Sequence, residues 1–250
     1  MTSFAKSTIL LPLYIYPDEG AWKPLYDAVS AIEDLQSIVI VNPNSGPGSE
    51  PWWPNADYVR EVAKLNALPN VRVVGYVATT YCQRPIEDVL KDIEKYAERS
   101  SDLATVGCGV EGIFFDETTN VYSEEVKTYL DAISEGVKAS DGILGDKLVI
   151  HNPGTAVDAR LAQPGPDVTV TVETSFKVFQ TKDYQRWLGS SPYDRESSCY
   201  MVHSAPLERV EDLVQELRPR AGFLFVTSRK KDFYQNFRPS WRKFVAAMAQ

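Results

Sequence analysis

Cysteine is scarce in this chain of 250 residues, which contains only three. Cys82, Cys108 and Cys199 form no CxxC pair and lack the Cys/His spacing that is typical of a metal site. An odd number of cysteines without such spacing argues against a disulfide framework. We therefore interpret them as mostly buried thiols.

Long apolar runs are also absent. No stretch approaches the ~18 consecutive apolar residues of a membrane-spanning helix, so we expect no contact with a membrane. The first residues lead directly into a strand-like run without a signal peptide, and no Asn-x-Ser/Thr acceptor site occurs. We expect a cytoplasmic protein if this sequence is full length, and a secreted or surface-anchored one if a leader has been removed.

Basic residues are too few for a protein that binds polyanions. Lys and Arg number 26 against 34 Asp and Glu, which gives a formal net charge of −8. Because affinity for nucleic acids depends on clusters of Lys and Arg, this balance argues against a nucleic-acid partner. A neutral or cationic substrate is easier to accommodate.

Apolar strands and amphipathic helices alternate about eight times along the chain. We predict strands over residues 8–16, 37–43, 71–79, 112–117, 147–153, 167–174, 198–205 and 221–227. Units of about 30 residues imply parallel strands with right-handed crossovers. The pattern predicts an α/β fold, a single (β/α)8 barrel over residues 1–250, with a doubly wound open sheet as the alternative.

The carboxyl ends of the strands form the catalytic face of such a barrel. The strand at 112–117 ends in Asp116 and Glu117. Residues two apart in a strand share a face, so an inward Asp116 places Phe114 beneath it. Glu117 then faces a different direction or belongs to the following loop.

The strand at 167–174 carries the second acidic residue of interest. Alternation predicts that its three valines face the helices, whereas Thr169, Thr171 and Glu173 face the barrel interior. Asp116 and Glu173 would then face each other across the mouth. Paired carboxylates suit glycoside hydrolysis, with one protonating the leaving oxygen and the other attacking the anomeric carbon or activating water. The alternative is that they cap helices or form salt bridges.

Other polar and aromatic residues at strand ends and in the following loops are candidates for substrate binding. Exposed rings at this rim would stack on sugar faces, although packing alone is an alternative for any single ring. The candidates are Tyr16, Asn42, Asn44, Trp52 with its neighbour Trp53, Tyr81, Tyr122, Asn152 and His203.

A metal centre is a less favoured alternative. His151, His203 and Asp116 could converge at the mouth of a barrel and bind a divalent ion. Because the sequence contains no close pair of histidines, we predict that the site requires no metal or other cofactor.

Several motifs together give the chain a resemblance to a known family. They are Leu11–Pro17 (LPLYIYP), Trp22, Val41–Gly48 (VNPNSGPG), Gly75–Tyr81 (GYVATTY) and Gly112–Glu117 (GIFFDE). In this order and spacing they resemble the spherulin-4 family, which includes the fungal glycoside hydrolases of family 135. The likeness covers essentially the whole chain.

The resemblance implies a (β/α)8 barrel with endo-α-1,4-N-acetylgalactosaminidase activity on galactosaminogalactan, a partly deacetylated polysaccharide. By similarity, Asp116 is the nucleophile, Glu173 is the general acid/base and Glu117 is a supporting carboxylate. We expect a monomer that acts on an amino-sugar polymer. A catalytically silent barrel that binds polysaccharide is the alternative. A retaining mechanism is expected if the two carboxyl groups lie about 5–5.5 Å apart, and an inverting one at about 6.5–9.5 Å.

Overall fold

The structure is a computed structural model that describes residues 6–48, 55–101 and 107–250. Eight parallel strands form a closed barrel in chain order, which confirms the predicted fold. The strands are β1 Thr8–Leu13, β2 Ser37–Val41, β3 Val71–Ala78, β4 Gly112–Asp116, β5 Leu148–His151, β6 Val168–Ser175, β7 Ser198–His203 and β8 Phe223–Val226.

Helices surround the strands and cover the outer face of the barrel. They are α1 Lys23–Ala31, α2 Ala56–Asn66, α3 Ile86–Ser101, α4 Glu124–Ala139, α5 Phe176–Phe179, α6 Lys182–Leu188, α7 Val210–Leu217 and α8 Trp241–Ala249. After β5 the chain forms only a 3-10 turn, at Ala159–Ala162, before β6 begins. Within the described residues, no helix is long and apolar enough to cross a membrane.

Side-chain caps start two of these helices. The Asn55 side chain accepts a hydrogen bond from the Tyr58 amide at 3.0 Å, and Ser123 accepts one from the Val126 amide at 3.1 Å. Each bond satisfies an amide that has no partner in the first helical turn. The caps fix where α2 and α4 begin and so set the length of the loops at the barrel mouth.

Strand β6 departs from regular alternation. Its pairing with β7 shifts between Val170 and Val172, so Thr171 is the extra residue of a β-bulge. Thr169 pairs with His151 of β5, which faces the helices, so the predicted inward direction of Thr169 is wrong. Because the bulge changes the phase of alternation, Glu173 nevertheless faces the interior.

The three cysteines are free thiols. Cys108 and Cys199 are buried, and Cys82 is half-buried. This agrees with their interpretation as mostly buried thiols.

Candidate active site

Asp116 ends β4 and lies at the mouth of the barrel with Phe114 below it on the same face. Its Oδ2 accepts a hydrogen bond from the Tyr76 hydroxyl at 2.8 Å. Its Oδ1 accepts bonds from the Asn152 side-chain amide at 2.7 Å and from the Glu117 backbone amide at 2.9 Å. Three donors therefore fix the orientation of the Asp116 side chain.

Glu173 lies across the mouth from Asp116. Its Oε2 accepts a hydrogen bond from the Asn152 side-chain amide at 2.7 Å, and its Oε1 accepts one from the Tyr234 hydroxyl. Burial raises the pKa of Glu173 above the ordinary value, and the negative charge of Asp116 adds to the rise, whereas both hydrogen bonds oppose it. A raised pKa suits a carboxyl group that must hold a proton before donating it.

Asn152 connects the two carboxyl groups through one nitrogen atom. Its Nδ2 lies 2.7 Å from Asp116 Oδ1 and 2.7 Å from Glu173 Oε2, so these oxygens are no farther apart than twice that distance. Asn152 is 7% exposed, and its Oδ1 has no hydrogen-bond partner within the described chain. Its Nδ2 therefore donates one hydrogen bond to each carboxyl group.

Three tyrosines enclose the acid pair. The Tyr14 ring makes edge-to-face contacts with Tyr76 at 5.7 Å and with Tyr234 at 5.5 Å between ring centroids. Burial, followed by the nearby negative charge of Asp116 or Glu173, raises the pKa of all three phenols. They therefore remain neutral hydrogen-bond donors at physiological pH.

Glu117 follows Asp116 in the left-handed region, with φ of +56°. Its carbonyl oxygen accepts hydrogen bonds from the Tyr81 amide at 2.6 Å and from the Thr79 hydroxyl at 2.8 Å. These bonds stabilise a backbone conformation that is unusual for a residue with a side chain. The Glu117 carboxylate is half-buried, and its charge contributes to the raised pKa of Tyr76.

Helix capping and salt bridging do not account for the acid pair. Ser123 caps α4, and Ser175 caps α5 by accepting from the Val178 amide at 3.3 Å. In the described part of the chain, neither Asp116 nor Glu173 forms a salt bridge. Their partners are neutral amide and phenol donors, an arrangement that keeps both carboxyl groups available for chemistry.

Three predicted aromatic residues, Tyr16, Tyr81 and Tyr122, follow strands at the mouth but form no hydrogen bond with the acid pair. Tyr16 is exposed, and its hydroxyl donates to Asp57 at 2.9 Å. Tyr81 is exposed on a turn after β3 in which three successive residues have positive φ. Arg160 lies over the Tyr122 ring, 3.9 Å from its centroid. Trp52 and Trp53 lie outside the described residues.

The two predicted asparagines of the loop after β2 differ in their contacts. Asn42 Oδ1 accepts from the Gly46 amide at 3.3 Å, so its side chain closes the turn. Asn44 is exposed, and its backbone amide donates to the Gly46 carbonyl at 3.4 Å. Asn42 therefore shapes the rim through this turn, and Asn44 is the more accessible of the two.

The two histidines lie apart from each other. His203 ends β7 and stacks on Phe233, with ring centroids 4.2 Å apart. His151 is buried toward the helices, where its Nε2 lies 3.2 Å from the Ser134 hydroxyl of α4. Because His151 points away from Asp116, the structure does not form the metal-ligand set considered from the sequence.

Three members of the site are not among the site residues predicted from the sequence. Tyr14 directly follows β1, whereas Tyr76 lies on β3 and pairs with Phe114, so alternation applied to β3 could have placed Tyr76 on the inner face. Tyr234 comes from the irregular segment after β8, where no periodic pattern indicates the direction of a side chain. Only the folded structure brings Tyr234 to Glu173.

The chain is similar to known proteins over most of its length. Residues 8–248 match the model of spherulation-specific family 4 (Spherulin4). Spherulin-4 of Physarum polycephalum is 31% identical over 199 residues, which cover 80% of this chain and 54% of that protein. The chain thus spans about half the length of that curated relative.

Solved structures show the same architecture. The crystal structure of Aspergillus clavatus Sph3 in complex with GalNAc superposes with a TM-score of 0.92, at 38% identity and with 98% of each chain covered. A modular endo-β-1,4-mannanase of Cellulomonas fimi from glycoside hydrolase family 26 shares the fold alone, with a TM-score of 0.57 and 12% identity over 99% of this chain and 71% of that one. The barrel is therefore glycoside hydrolase-like in fold, and the chain belongs to spherulation-specific family 4.

Proposed function

We propose that this protein is a glycoside hydrolase that cleaves an α-1,4-linked polymer of galactosamine and N-acetylgalactosamine at internal bonds. The observation that carries the proposal is the contact of one Asn152 nitrogen with both Asp116 and Glu173 at 2.7 Å. It places two carboxyl groups at the barrel mouth at a separation that suits attack and protonation of one glycosidic bond. The sugar class is supported by the Aspergillus clavatus relative, whose structure contains GalNAc.

The separation favours a retaining mechanism. Two bonds of 2.7 Å from one nitrogen limit these two oxygens to a separation of at most twice that distance. This limit is compatible with the about 5–5.5 Å between carboxyl groups in retaining enzymes and is below the about 6.5–9.5 Å that leaves room for a water molecule in inverting ones. Glu173, whose pKa is raised, protonates the glycosidic oxygen while Asp116 attacks the anomeric carbon to form a covalent glycosyl–enzyme. Glu173 then takes a proton from water, which displaces the sugar from Asp116.

Neighbouring residues support these roles. Tyr76 and Asn152 hold Asp116 in a fixed orientation, which reduces the reorganisation needed for attack. Glu117 carries a half-buried carboxylate with no cationic partner in the described chain, so it is available to a polar or cationic group of the sugar. This assigns Glu117 to binding and to tuning of the site rather than to bond cleavage.

The test is mass spectrometry of soluble products after incubation with purified galactosaminogalactan, with a chelator present throughout. Wild-type protein should release oligosaccharides, and Asp116→Asn and Glu173→Gln should each reduce the rate by at least about a thousandfold. Asp183→Asn is the matched control, because its side chain is 91% exposed and lies on α6. Proton NMR of early products should show the α-anomer if configuration is retained.

Other outcomes would contradict the proposal. Activity of Asp116→Asn or Glu173→Gln equal to the wild type would contradict the assigned roles. Retention of the polymer by the wild type without any product would support the catalytically silent binding barrel instead. Loss of all activity with the chelator, restored by a divalent ion, would indicate metal-dependent chemistry.

A further inference from the structure

Trp187 is a large aromatic side chain that the fold leaves half in solvent. It lies in α6 and is 50% exposed. Its indole Nε1 donates a hydrogen bond to the Thr155 hydroxyl at 2.7 Å. The bond satisfies the polar end of the ring and fixes its orientation, while much of its apolar surface remains in water.

Thr155 connects this ring to the acid pair. It follows Gly154 in the loop after β5, and the Gly154 carbonyl oxygen accepts a hydrogen bond from the Glu173 amide at 2.9 Å. A Cβ atom at Gly154 would lie 3.5 Å from the Glu173 Cβ. Trp187 thus bonds to Thr155, and the neighbouring residue, Gly154, packs on Glu173. The ring therefore lies on the β5–β6 side of the mouth.

The helix that carries Trp187 is anchored independently of this ring. Thr181 caps α6 by accepting from the Tyr184 amide at 3.3 Å, and Leu188 is buried in the core. Gln185 donates to the Phe179 carbonyl and accepts from Arg220 at 2.7 Å. The exposed indole surface is thus not required to hold α6 in place, and the ring is available to a ligand.

We propose that Trp187, supported by Thr155, forms a distal subsite in which the indole stacks on the face of a pyranose unit beyond the scissile bond. This inference rests on the proposed function, because it takes the ligand to be a polysaccharide chain that passes Glu173. The C–H face of a pyranose is apolar and matches the exposed ring. A protonated amino group on a galactosamine unit adds cation–π attraction.

The subsite gives the protein a preference for long chains. Stacking far from the reacting carbon adds binding energy that a long chain uses and a short one does not reach. Trp187→Ala should therefore lower kcat/KM for the polymer by about tenfold, and leave kcat/KM for the shortest cleaved oligosaccharide within twofold of the wild type.

Binding can be measured without cleavage. Affinity electrophoresis with galactosaminogalactan in the gel would compare four full-length proteins that all carry Asp116→Asn. They are the parent and its Trp187→Ala, Trp187→Phe and Arg186→Ala derivatives. Arg186 precedes Trp187 on α6 and is 79% exposed, so it is the matched control. The parent, Trp187→Phe and Arg186→Ala should be retarded, whereas Trp187→Ala should lose most of its retardation. Circular dichroism verifies that each variant is folded.

The outcomes separate this inference from the proposed function. If the parent is retarded and Trp187→Ala is retarded equally, the distal subsite is wrong even if the wild type cleaves the polymer. If Trp187→Ala loses retardation but the wild type releases no product, the subsite stands and the hydrolase is wrong. If the parent is not retarded, the subsite for this polymer is wrong.

Discussion

The Tyr234 hydroxyl donates a hydrogen bond to Glu173 Oε1, although the two residues are 61 positions apart in the chain. Tyr234 follows β8 and Glu173 lies in β6, so the contact spans the mouth of the barrel. Burial and the charge of Asp116 raise the pKa of Glu173, whereas this bond lowers it. The acidity of Glu173 therefore depends on a residue from an irregular loop.

Removal of the Tyr234 hydroxyl should shift the pH dependence of catalysis. Without the donor, the ionised form of Glu173 loses stabilisation and its pKa rises further. Because a general acid must be protonated, the basic limb of the kcat/KM profile should move to higher pH in Tyr234→Phe. The rate at the optimum should fall several-fold, because the carboxyl group is held less firmly.

The matched control for this profile is Tyr129→Phe. Tyr129 is a half-buried residue of α4 whose hydroxyl oxygen is shielded from solvent and has no hydrogen-bond partner in the described chain. Removal of this hydroxyl should leave the basic limb of the kcat/KM profile and the rate at the pH optimum unchanged. A basic limb that stays in place in Tyr234→Phe, or moves to lower pH, would contradict the assignment of that limb to Glu173.

Asn152 should act as a positioning residue for both carboxyl groups. Asn152→Ala removes a donor from each of them and should reduce kcat by about a hundredfold with KM changed much less. Asn152→Asp should be comparably impaired at neutral pH, because a third carboxylate can only accept, and should partly recover as the pH falls and a proton becomes available. Steady-state kinetics of the two variants between pH 4 and 8 measures these effects. Full activity of Asn152→Asp at neutral pH would contradict the positioning role of Asn152.

The Glu117 carboxylate should distinguish acetylated from deacetylated polymer. It has no cationic partner in residues 6–48, 55–101 and 107–250, so a protonated galactosamine unit can provide one. Glu117→Gln should raise KM for extensively deacetylated polymer by about tenfold and leave KM for fully acetylated polymer within twofold. Equal changes in KM for the two substrates would show that charge recognition does not involve Glu117.

Strand alternation predicts part of this site for a physical reason. Strand β4 is regular and places Asp116 above Phe114, so the directions of its side chains can be predicted from the sequence alone. In β6 the same rule gives the correct direction for Glu173 and the wrong one for Thr169, because an extra residue at Thr171 shifts the phase between them. Local sequence does not reveal that bulge, since the run VTVTVET alternates without interruption.

The rest of the site depends on contacts between distant parts of the chain. The sequence predicts Asn152 as a substrate-binding residue because it lies at the end of a predicted strand, but its position between the two carboxyl groups depends on the closure of the barrel from β4 to β6. Tyr234 has no periodic context at all. Long-range packing therefore determines the donors that hold the acid pair, whereas local pattern determines only the strands that carry the acids.

The buried imidazole of His151 should make the fold sensitive to mild acid. Burial lowers the pKa of His151 to about 3, whereas in the unfolded chain it is near 6.5. Below pH 6.5 the unfolded state therefore binds a proton that the folded state does not, and the free energy of unfolding falls by about 1.4 kcal/mol per pH unit until the pH approaches the folded pKa. This contribution amounts to about 2 kcal/mol at pH 5.

His151→Gln should remove this dependence because glutamine does not titrate, while its amide can still reach the Ser134 hydroxyl. Urea unfolding of both proteins at pH 7 and pH 5 gives the measurement. Between pH 7 and pH 5 the free energy of unfolding of the wild type should fall by about 2 kcal/mol more than that of the variant. All other titrating groups, including Glu173, contribute equally to the two proteins. An equal loss in the two proteins would show that His151 is protonated in the folded state at pH 5, and that the space between β5 and α4 is not dry.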